Sequence, residues 1–217
     1  MLELINISIN WNFLKQKPFI ENLNLKINNG NILTIFGASG VGKSSLINII
    51  SGIYERNLCF TGDIILNNKK ITNFPPEKRK IGLLLQDGVL FPHLTVRQNL
   101  IFGIKKTLTN REKNLLVHES LFNADIEGFE NRYPNTLSGG QKARVACLRA
   151  ILSEPEALLL DEPFSSLDPD HRNSFRLFVM NQIRIKNIPC ILVTHDESDK
   201  LISDYEPLDL IKFSKKY

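Results

Sequence analysis

The octapeptide Gly37-Ala38-Ser39-Gly40-Val41-Gly42-Lys43-Ser44 follows an apolar run at residues 32–36 and precedes an apolar-periodic run that begins at Ser45. This order predicts a strand, a glycine loop and a helix, with Gly-x-x-x-x-Gly-Lys-Ser between the strand and the helix. Glycines let the backbone bend so that successive N–H groups point at an anion, and the helix start adds unpaired N–H groups and partial positive charge. Lys43 supplies a cation for the β- and γ-phosphates, and the Ser44 hydroxyl is a hard oxygen ligand for Mg²⁺. The stretch predicts a nucleoside triphosphate site at residues 37–45. The alternative, a glycine turn that only joins strand to helix, leaves the Lys-Ser pair unexplained.

The composition is that of an ordinary globular protein. Of 217 residues, 42% are hydrophobic and 23% are charged, and the formal net charge is +4. Such a mild charge does not argue for nucleic acid or a membrane surface as a partner. Cys59, Cys147 and Cys190 lack the spacing of a zinc site or a redox pair, so we expect reduced thiols in a cytosolic protein. We expect no signal peptide and no bilayer-spanning segment, so that any membrane role requires a partner.

Two kinds of strand pattern predict the fold class. Residues 2–9 and 23–27 alternate apolar and polar side chains, and residues 63–71 have the pattern of a hairpin with Asn67-Asn68 at its turn. The unbroken apolar runs at 81–85, 157–160 and 191–193 are typical of parallel strands buried on both faces. We therefore predict an α/β protein: a P-loop NTPase core with a mixed or parallel sheet and an N-terminal antiparallel β-subdomain.

A helical insertion is predicted between the core strands, at about residues 87–152. Residues 95–102 and 138–152 have helical patterns, and Thr109 with Glu112 forms a capping box ahead of a third apolar-periodic stretch. Residues 203–217 match no motif and are expected to form a final strand with a basic tail. The whole chain, 1–217, is interpreted as a single domain.

Two carboxylates, Asp161 and Glu162, end the apolar strand at 157–160. Ligands of parallel α/β sheets bind at the carboxyl ends of the strands, so both side chains are expected beside the glycine loop. Asp161 would lie near Mg²⁺. Glu162 would polarise an attacking water as a general base or water-positioning residue.

A second candidate anion site lies at Ser138, Gly139, Gly140 and Gln141, which open the helix at 138–152. A serine cap followed by two glycines exposes backbone N–H groups at the positive end of a helix. Taken alone, the same residues are equally typical of an N-cap preceded by a flexible turn.

Together these motifs resemble those of ABC-transporter ATP-binding subunits, over nearly the whole chain. The motifs, in chain order, are the glycine loop, Gln86, Leu-Ser-Gly-Gly-Gln at 137–141, Leu-Leu-Leu-Asp-Glu-Pro at 158–163, Ser-Leu-Asp at 166–168 and Thr-His-Asp at 194–196. The resemblance implies a head-to-tail dimer of two copies, in which the glycine loop of one copy and residues 138–140 of the other enclose one ATP.

Roles for further residues follow from the resemblance alone. It implies that Gln86 ligates Mg²⁺ and senses a membrane partner, that His195 contacts the γ-phosphate, and that Asp168 joins the two sites across the dimer. An aromatic side chain before the glycine loop would stack on adenine. Trp11 matches that position best and Phe13 is the next candidate, although a half-buried surface aromatic would have the same pattern.

The segment at about 86–100 resembles the importer version of this region, which receives a short coupling helix from an integral membrane permease. The implied function is an ATP-hydrolysing subunit that energises an ABC importer from the inner face of the cell membrane, with no nucleic acid as a partner. The nearest resemblance is to short importer ATPases of thiamine-like or uncharacterised type, and the substrate stays open. An exporter subunit, or a soluble ABC ATPase of cofactor assembly or nucleic-acid metabolism, remains an alternative.

Overall fold

The computed structural model describes residues 1–11, 18–54, 56–85, 89–167 and 169–213, except the side chains of residues 169 and 170. Its strands form two sheets, one antiparallel and one parallel. The strands are β1 (Leu2–Trp11), β2 (Ile20–Ile27), β3 (Ile32–Phe36), β4 (Leu58–Leu66), β5 (Lys69–Lys70), β6 (Ile81–Leu84), β7 (Ala157–Asp161), β8 (Cys190–Thr194) and β9 (Leu208–Asp209). The α/β class predicted from the sequence is confirmed.

The antiparallel sheet has the order β2-β1-β4-β5. The sequence pattern in β1 changes phase after Leu4, and the structure accommodates this by a register shift between Leu4 and Ile7, with Asn6 at φ 50°. As a result Leu2, Leu4, Ile7 and Ile9 are all buried, whereas Ile5 is exposed. The predicted hairpin joins β4 to β5 through Asn67 and Asn68, both with positive φ as a tight hairpin turn requires.

The parallel sheet has the order β6-β7-β8-β3-β9. Pairs such as Leu159 with Ile191, and Leu33 with Ile191, set the three central strands in register, so β7, β8 and β3 end at one edge. The expected final strand is the two-residue β9, which pairs in parallel with the end of β3.

Five α-helices are described: α1 (Lys43–Ser51), α2 (Val96–Gly103), α3 (Asn110–Asn123), α4 (Gly139–Leu152) and α5 (Pro169–Lys186). Thr95, Thr109 and Ser138 each cap the helix that follows, and each cap is completed by the side chain of the third helical residue. A capping box of this kind satisfies two otherwise unpaired N–H groups, which explains why these helices begin where they do. The described part of the segment between 89 and 152 contains helices and turns but no strand.

Arg79 joins the antiparallel sheet to the helix that follows the glycine loop. Its side chain is fully buried and donates to the carbonyl oxygens of Ile49 and Ile50, at 2.8 Å each, and to those of Phe74 and Thr72. The guanidinium therefore stabilises the last turn of α1, where unpaired carbonyl groups and the negative end of the helix dipole favour a cation. This holds the far end of α1, and with it the glycine loop, in a fixed place.

Candidate functional site

The glycine loop connects β3 to α1, as the sequence predicts. Gly37, Gly40 and Gly42 have φ values of 154°, 83° and 100°, which side chains with a Cβ rarely adopt. A Cβ at Gly42 would also lie 2.6 Å from Cε2 of Phe19. Gly42 caps α1 without any side-chain hydrogen bond, so the first N–H groups of α1 are available to an anion.

Lys43 reaches back over this loop. Its Nζ donates to the carbonyl oxygens of Gly37, at 2.7 Å, and Ala38, at 3.0 Å. Burial lowers the pKa of Lys43 below its ordinary value, and the carboxylates of Glu162 and Asp161 oppose that shift. The ammonium group is thus held inside the curve of the loop, where phosphate oxygens could replace the two carbonyl oxygens as acceptors.

Ser44 and Asp161 bring hard oxygen donors together. The two side chains are hydrogen-bonded to each other. Burial raises the pKa of Asp161, with a contribution from Glu162, whereas the bond from Ser44 and the charge of Lys43 oppose the rise. A carboxylate that is buried beside another negative charge is stabilised by a cation. A hydroxyl oxygen together with a carboxylate oxygen is a donor set that suits Mg²⁺. No group of three His, Cys, Asp or Glu side chains among the described residues could hold a metal ion, so nucleotide oxygens would have to complete this set.

Glu162 and His195 follow the neighbouring strands β7 and β8. The N–H of Glu162 donates to the carbonyl oxygen of Val193 at 2.9 Å, and Glu162 adopts φ 49°. This left-handed turn directs its largely buried carboxylate towards His195, whose Nδ1 lies 2.8 Å from Oε1 of Glu162. A carboxylate and an imidazole in contact at the edge where Lys43 also lies can activate water and contact a phosphate oxygen.

Ser138 and its two glycines open α4, beside Ser166 and Leu167 in the turn that follows β7. Ser138 accepts a hydrogen bond from the N–H of Gln141 at 3.3 Å, and a Cβ at Gly140 would lie 2.9 Å from Cδ2 of Leu167. A cavity of about 90 Å³ adjoins Ser138, and its other lining residues are Asp125, Ile126, Gly140, Gln141, Arg144, Leu167 and His171. None of these residues belongs to the glycine loop. The cavity beside the second candidate anion site therefore shares no lining residue with the glycine loop.

Trp11 ends β1 beside the glycine loop. Its ring stacks on Phe19 at 5.4 Å between centroids, and Phe19 in turn covers Gly42. This places an indole, about a third exposed, next to the phosphate loop. Its alternative Phe13 lies outside the described residues, as do Gln86 and Asp168.

Sequence reasoning missed a set of buried polar side chains that hold the site loops. Asn99 binds the loop at 91–95 through Phe91, Leu94 and Thr95, and Arg149 donates to Asn99 and to the carbonyl oxygen of Val89. On α5, Arg172 and Arg176 pair with Asp196 and Asp199, which follow β8. The spacing of four residues predicts that the two arginines share a face of α5, but nothing in the sequence indicates that this face meets the aspartates after β8.

Residues 20–165 match the family model described as ABC transporter. This chain belongs to the ABC transporter family. The protein YnjD of Escherichia coli K12, an uncharacterized ABC transporter ATP-binding protein, is 40% identical over 217 residues, which cover 100% of this chain and 98% of the relative. The spermidine/putrescine import ATP-binding protein PotA of Lawsonia intracellularis is 40% identical over 200 residues, covering 92% of this chain and 53% of PotA. The chain thus spans about half the length of that relative.

Solved structures of ABC cassettes share the fold. The dimeric ATP-binding cassette MJ0796 bound to ADP and Pi, in a post-hydrolysis state, matches with a TM-score of 0.82 at 28% identity, covering 94% of this chain and 92% of that chain. A second dimeric structure of MJ0796 matches with a TM-score of 0.81 at 29% identity and the same coverage. The chain is an ATP-binding, ATP-hydrolysing ABC cassette. Among its described helices, none is long and apolar enough to cross a bilayer.

Proposed function

We propose that this ABC ATPase energises an importer by docking on an integral membrane permease. The observation that carries the proposal is the exposed apolar surface that follows β6, defined here by Val89, Phe91 and Phe102 and called the docking surface. Phe102 is 69% exposed, and its ring meets that of Phe91 at 4.7 Å between centroids. Apolar side chains left in water beside a catalytic edge are typical of a contact with another protein.

Polar contacts of Asn99 and Arg149 hold the docking surface against α2 and α4. Asn99 and Arg149 fix residues 89–95, which follow the segment containing Gln86, and Gly103 approaches α4 so closely that a Cβ there would lie 2.7 Å from the carbonyl oxygen of Arg149. Because residues 89–95 follow Gln86 closely in the chain, we propose that a movement near Gln86 would reach the docking surface, as a partner whose state depends on ATP would require. The chain would then lie in the cytoplasm against the inner face of the cell membrane.

Phe102→Asp is expected to abolish association with the permease while leaving ATP binding unchanged. A carboxylate at the centre of an apolar contact would be buried without a partner, which is strongly unfavourable. The measurement is recovery of multispanning membrane proteins with the tagged chain from detergent-solubilised membranes. Phe122→Asp is the matched control, because Phe122 on α3 is 61% exposed and lies outside the docking surface.

Equal recovery with Phe102→Asp and the wild type would reject the docking surface. If neither the wild type nor the control recovers a multispanning protein, the alternative of a soluble ABC ATPase gains support instead.

For ATP hydrolysis we propose one role for each candidate residue at the edge of the parallel sheet where β3, β7 and β8 end. Lys43 and the N–H groups of the loop at 37–45 bind the phosphates, Glu162 orients and deprotonates the attacking water, and His195 contacts the γ-phosphate. Ser44 and Asp161, together with Gln86, would hold Mg²⁺, which neutralises phosphate charge when bound. Trp11 would stack on the adenine ring.

The lining of the cavity at Ser138, which includes no residue of the glycine loop, supports a head-to-tail dimer. One chain carries two candidate anion sites, and two antiparallel copies would bring each glycine loop against residues 138–141 of the other copy. Asp168, which follows Leu167 in the chain, would act at the contact between copies.

Ser138→Arg is expected to block ATP hydrolysis while the isolated monomer still binds ATP. An arginine would fill the approach that the glycines leave open and prevent the second copy from closing. The measurements are steady-state ATPase activity and ATP affinity of the monomer. Equal loss of ATP affinity in the monomer would instead assign Ser138 to the pocket of its own chain.

Mixing Ser138→Arg with Glu162→Gln protein tests the same geometry. In a mixed dimer both defects fall in one composite site, so the other site is intact. Activity in the mixture above that of either variant alone supports the head-to-tail arrangement, provided that one intact site can turn over.

A further inference from the structure

The loop that carries His195 is held by two arginines one helical turn apart on α5. Arg176 forms a buried ion pair with Asp199 and donates to the hydroxyl of Ser198 at 2.6 Å. Arg172 donates through one terminal nitrogen to Oδ2 of Asp196 at 2.5 Å. These contacts follow directly after β8, so they fix the chain immediately beyond His195.

Arg172 also binds the segment that follows Glu162. Its second terminal nitrogen donates to the carbonyl oxygen of Leu167 at 3.1 Å. The remaining nitrogen, Nε, is buried and has no hydrogen-bond partner within the described structure. A guanidinium can bridge two acceptors because its donors are rigidly arranged in a plane. In Arg172 the two terminal nitrogens join the two loops, while the buried Nε is left unpaired, which is unfavourable.

Asp196 is fixed on both sides. Oδ1 accepts from the N–H of Ser198 at 2.8 Å and from its hydroxyl at 2.6 Å, whereas Oδ2 faces Arg172. The N–H of Asp196 donates to the hydroxyl of Thr194 at 3.0 Å. The bonds from Ser198, with the nearby Arg172 and Arg176 cations, lower the pKa of Asp196, so the carboxylate is charged at neutral pH.

These contacts form a closed series that includes Glu162 and His195. Glu162 meets His195, His195 precedes Asp196, Asp196 binds Arg172, and Arg172 binds Leu167. The turn at 162–167 completes the series through hydrogen bonds from Ser165 to Glu162 and from Leu167 to Phe164. A shift of either loop would therefore change the distance between the Glu162 carboxylate and the His195 ring.

We propose that Arg172 is a positioning residue that clamps the turn at 162–167 to the His195 loop and thereby sets the relative placement of Glu162 and His195. The inference rests on the proposed roles of those two residues. Arg172 is 23% exposed at its side chain, and ion pairs this close to water contribute little to folding stability. Its loss should therefore affect turnover more than stability.

The test is a double-mutant cycle on Arg172 and Asp196 in the dimeric enzyme. Arg172→Gln and Asp196→Asn should each lower kcat about tenfold to hundredfold, because small misplacements of reacting groups have effects of that size. The KM for ATP and the melting temperature should stay close to those of the wild type. The double variant should lose no more than the single variants, since both remove the same contact.

Arg184→Gln is the matched control. Arg184 lies on the same helix and pairs with Asp204 at 3.3 Å, but it contacts neither Leu167 nor Asp196. Its replacement should leave kcat unchanged. Arg172→Lys keeps the charge near Asp196 but not the planar fork, so it should recover kcat only in part.

His195→Ala, assayed in parallel, distinguishes a failure of the proposed role of His195 from a failure of the clamp formed by Arg172. If His195→Ala keeps wild-type turnover, the proposed function of His195 is wrong, and the clamp falls with it. If His195→Ala loses turnover while Arg172→Gln and Asp196→Asn do not, only the clamp is overturned. The clamp would also be overturned if the losses of kcat in the double variant multiplied. The same holds if the melting temperature fell far enough for unfolding at the assay temperature to account for the lost activity.

Discussion

Glu162→Gln is expected to lower the kcat for ATP hydrolysis about 10²- to 10⁴-fold, the usual contribution of a positioned general base. The amide keeps the shape of the side chain and can still meet Nδ1 of His195, which lies 2.8 Å from Oε1 in the wild type. It cannot accept a proton from water at neutral pH. Because glutamine and glutamate tolerate the φ of 49° equally, the backbone turn should be unaffected.

The consequence for assembly can be measured in the same protein. ATP that is bound but not hydrolysed should persist between two copies, so the variant should elute as a dimer in ATP during size-exclusion chromatography. Glu197→Gln is the control, because Glu197 is a strongly exposed carboxylate that pairs only with the neighbouring Lys200 among its described ion-pair contacts. A Glu162→Gln protein that stays monomeric in ATP and turns over at the wild-type rate would reject both the role of Glu162 and the enclosed ATP.

The sequence predicts the placement of those candidate site residues whose local structure follows from local rules. Gly42 and Lys43 lie at a strand–helix junction because the glycine pattern permits only a tight loop there. Asp161 is hydrogen-bonded to Ser44, and His195 lies beside Glu162, because parallel strands end at one edge of a sheet. Ser138 was identified as a helix cap because it is a serine that precedes two glycines and a helical pattern, and its side chain caps α4 in the structure.

The parts that the sequence leaves open depend on contacts between distant segments. The phase change in β1 gave no sign that Asn6 would take a positive φ opposite Gly62, whose own φ is 102°. Arg172 and Asp196 are 24 residues apart and look like ordinary surface charges until α5 is packed beside β8. Such pairings follow from three-dimensional packing, which periodicity and spacing do not encode.

The roles that need a second molecule stay predictions. Ser138 and Asp168 would act across a dimer, and Phe102 would act against a permease, so a single chain shows only that Ser138 and Phe102 are accessible. Gln86 and Asp168 lie outside the described residues. Mutation and assembly measurements are therefore the appropriate tests for these four residues.

Lys43→Ala is expected to weaken ATP binding about tenfold to hundredfold and to remove most hydrolysis. Hydrogen bonds that involve a charged group contribute about 1.5–3 kcal/mol each, which corresponds to that range of Kd. In the structure the ammonium group bonds to the carbonyl oxygens of Gly37 and Ala38, although burial disfavours its charge. Phosphate oxygens are better acceptors for a desolvated cation than neutral carbonyl groups, so most of the energetic benefit of Lys43 should appear only when nucleotide is bound.

The fold should tolerate this substitution, because alanine is a good helix former at the first position of α1 and the described hydrogen bonds of Lys43 join its ammonium group only to two carbonyl groups of the glycine loop. The measurements are ATP affinity by calorimetry, ATPase activity and the melting temperature. Lys80→Ala is the control: it removes the same charge at the opposite edge of the sheet, where Lys80 pairs with Glu156 at 2.5 Å just before β7. Wild-type affinity and turnover in Lys43→Ala would contradict the phosphate-binding role. Equal losses in Lys80→Ala would attribute the effect to net charge, because only the position of Lys43 places its ammonium group inside the glycine loop.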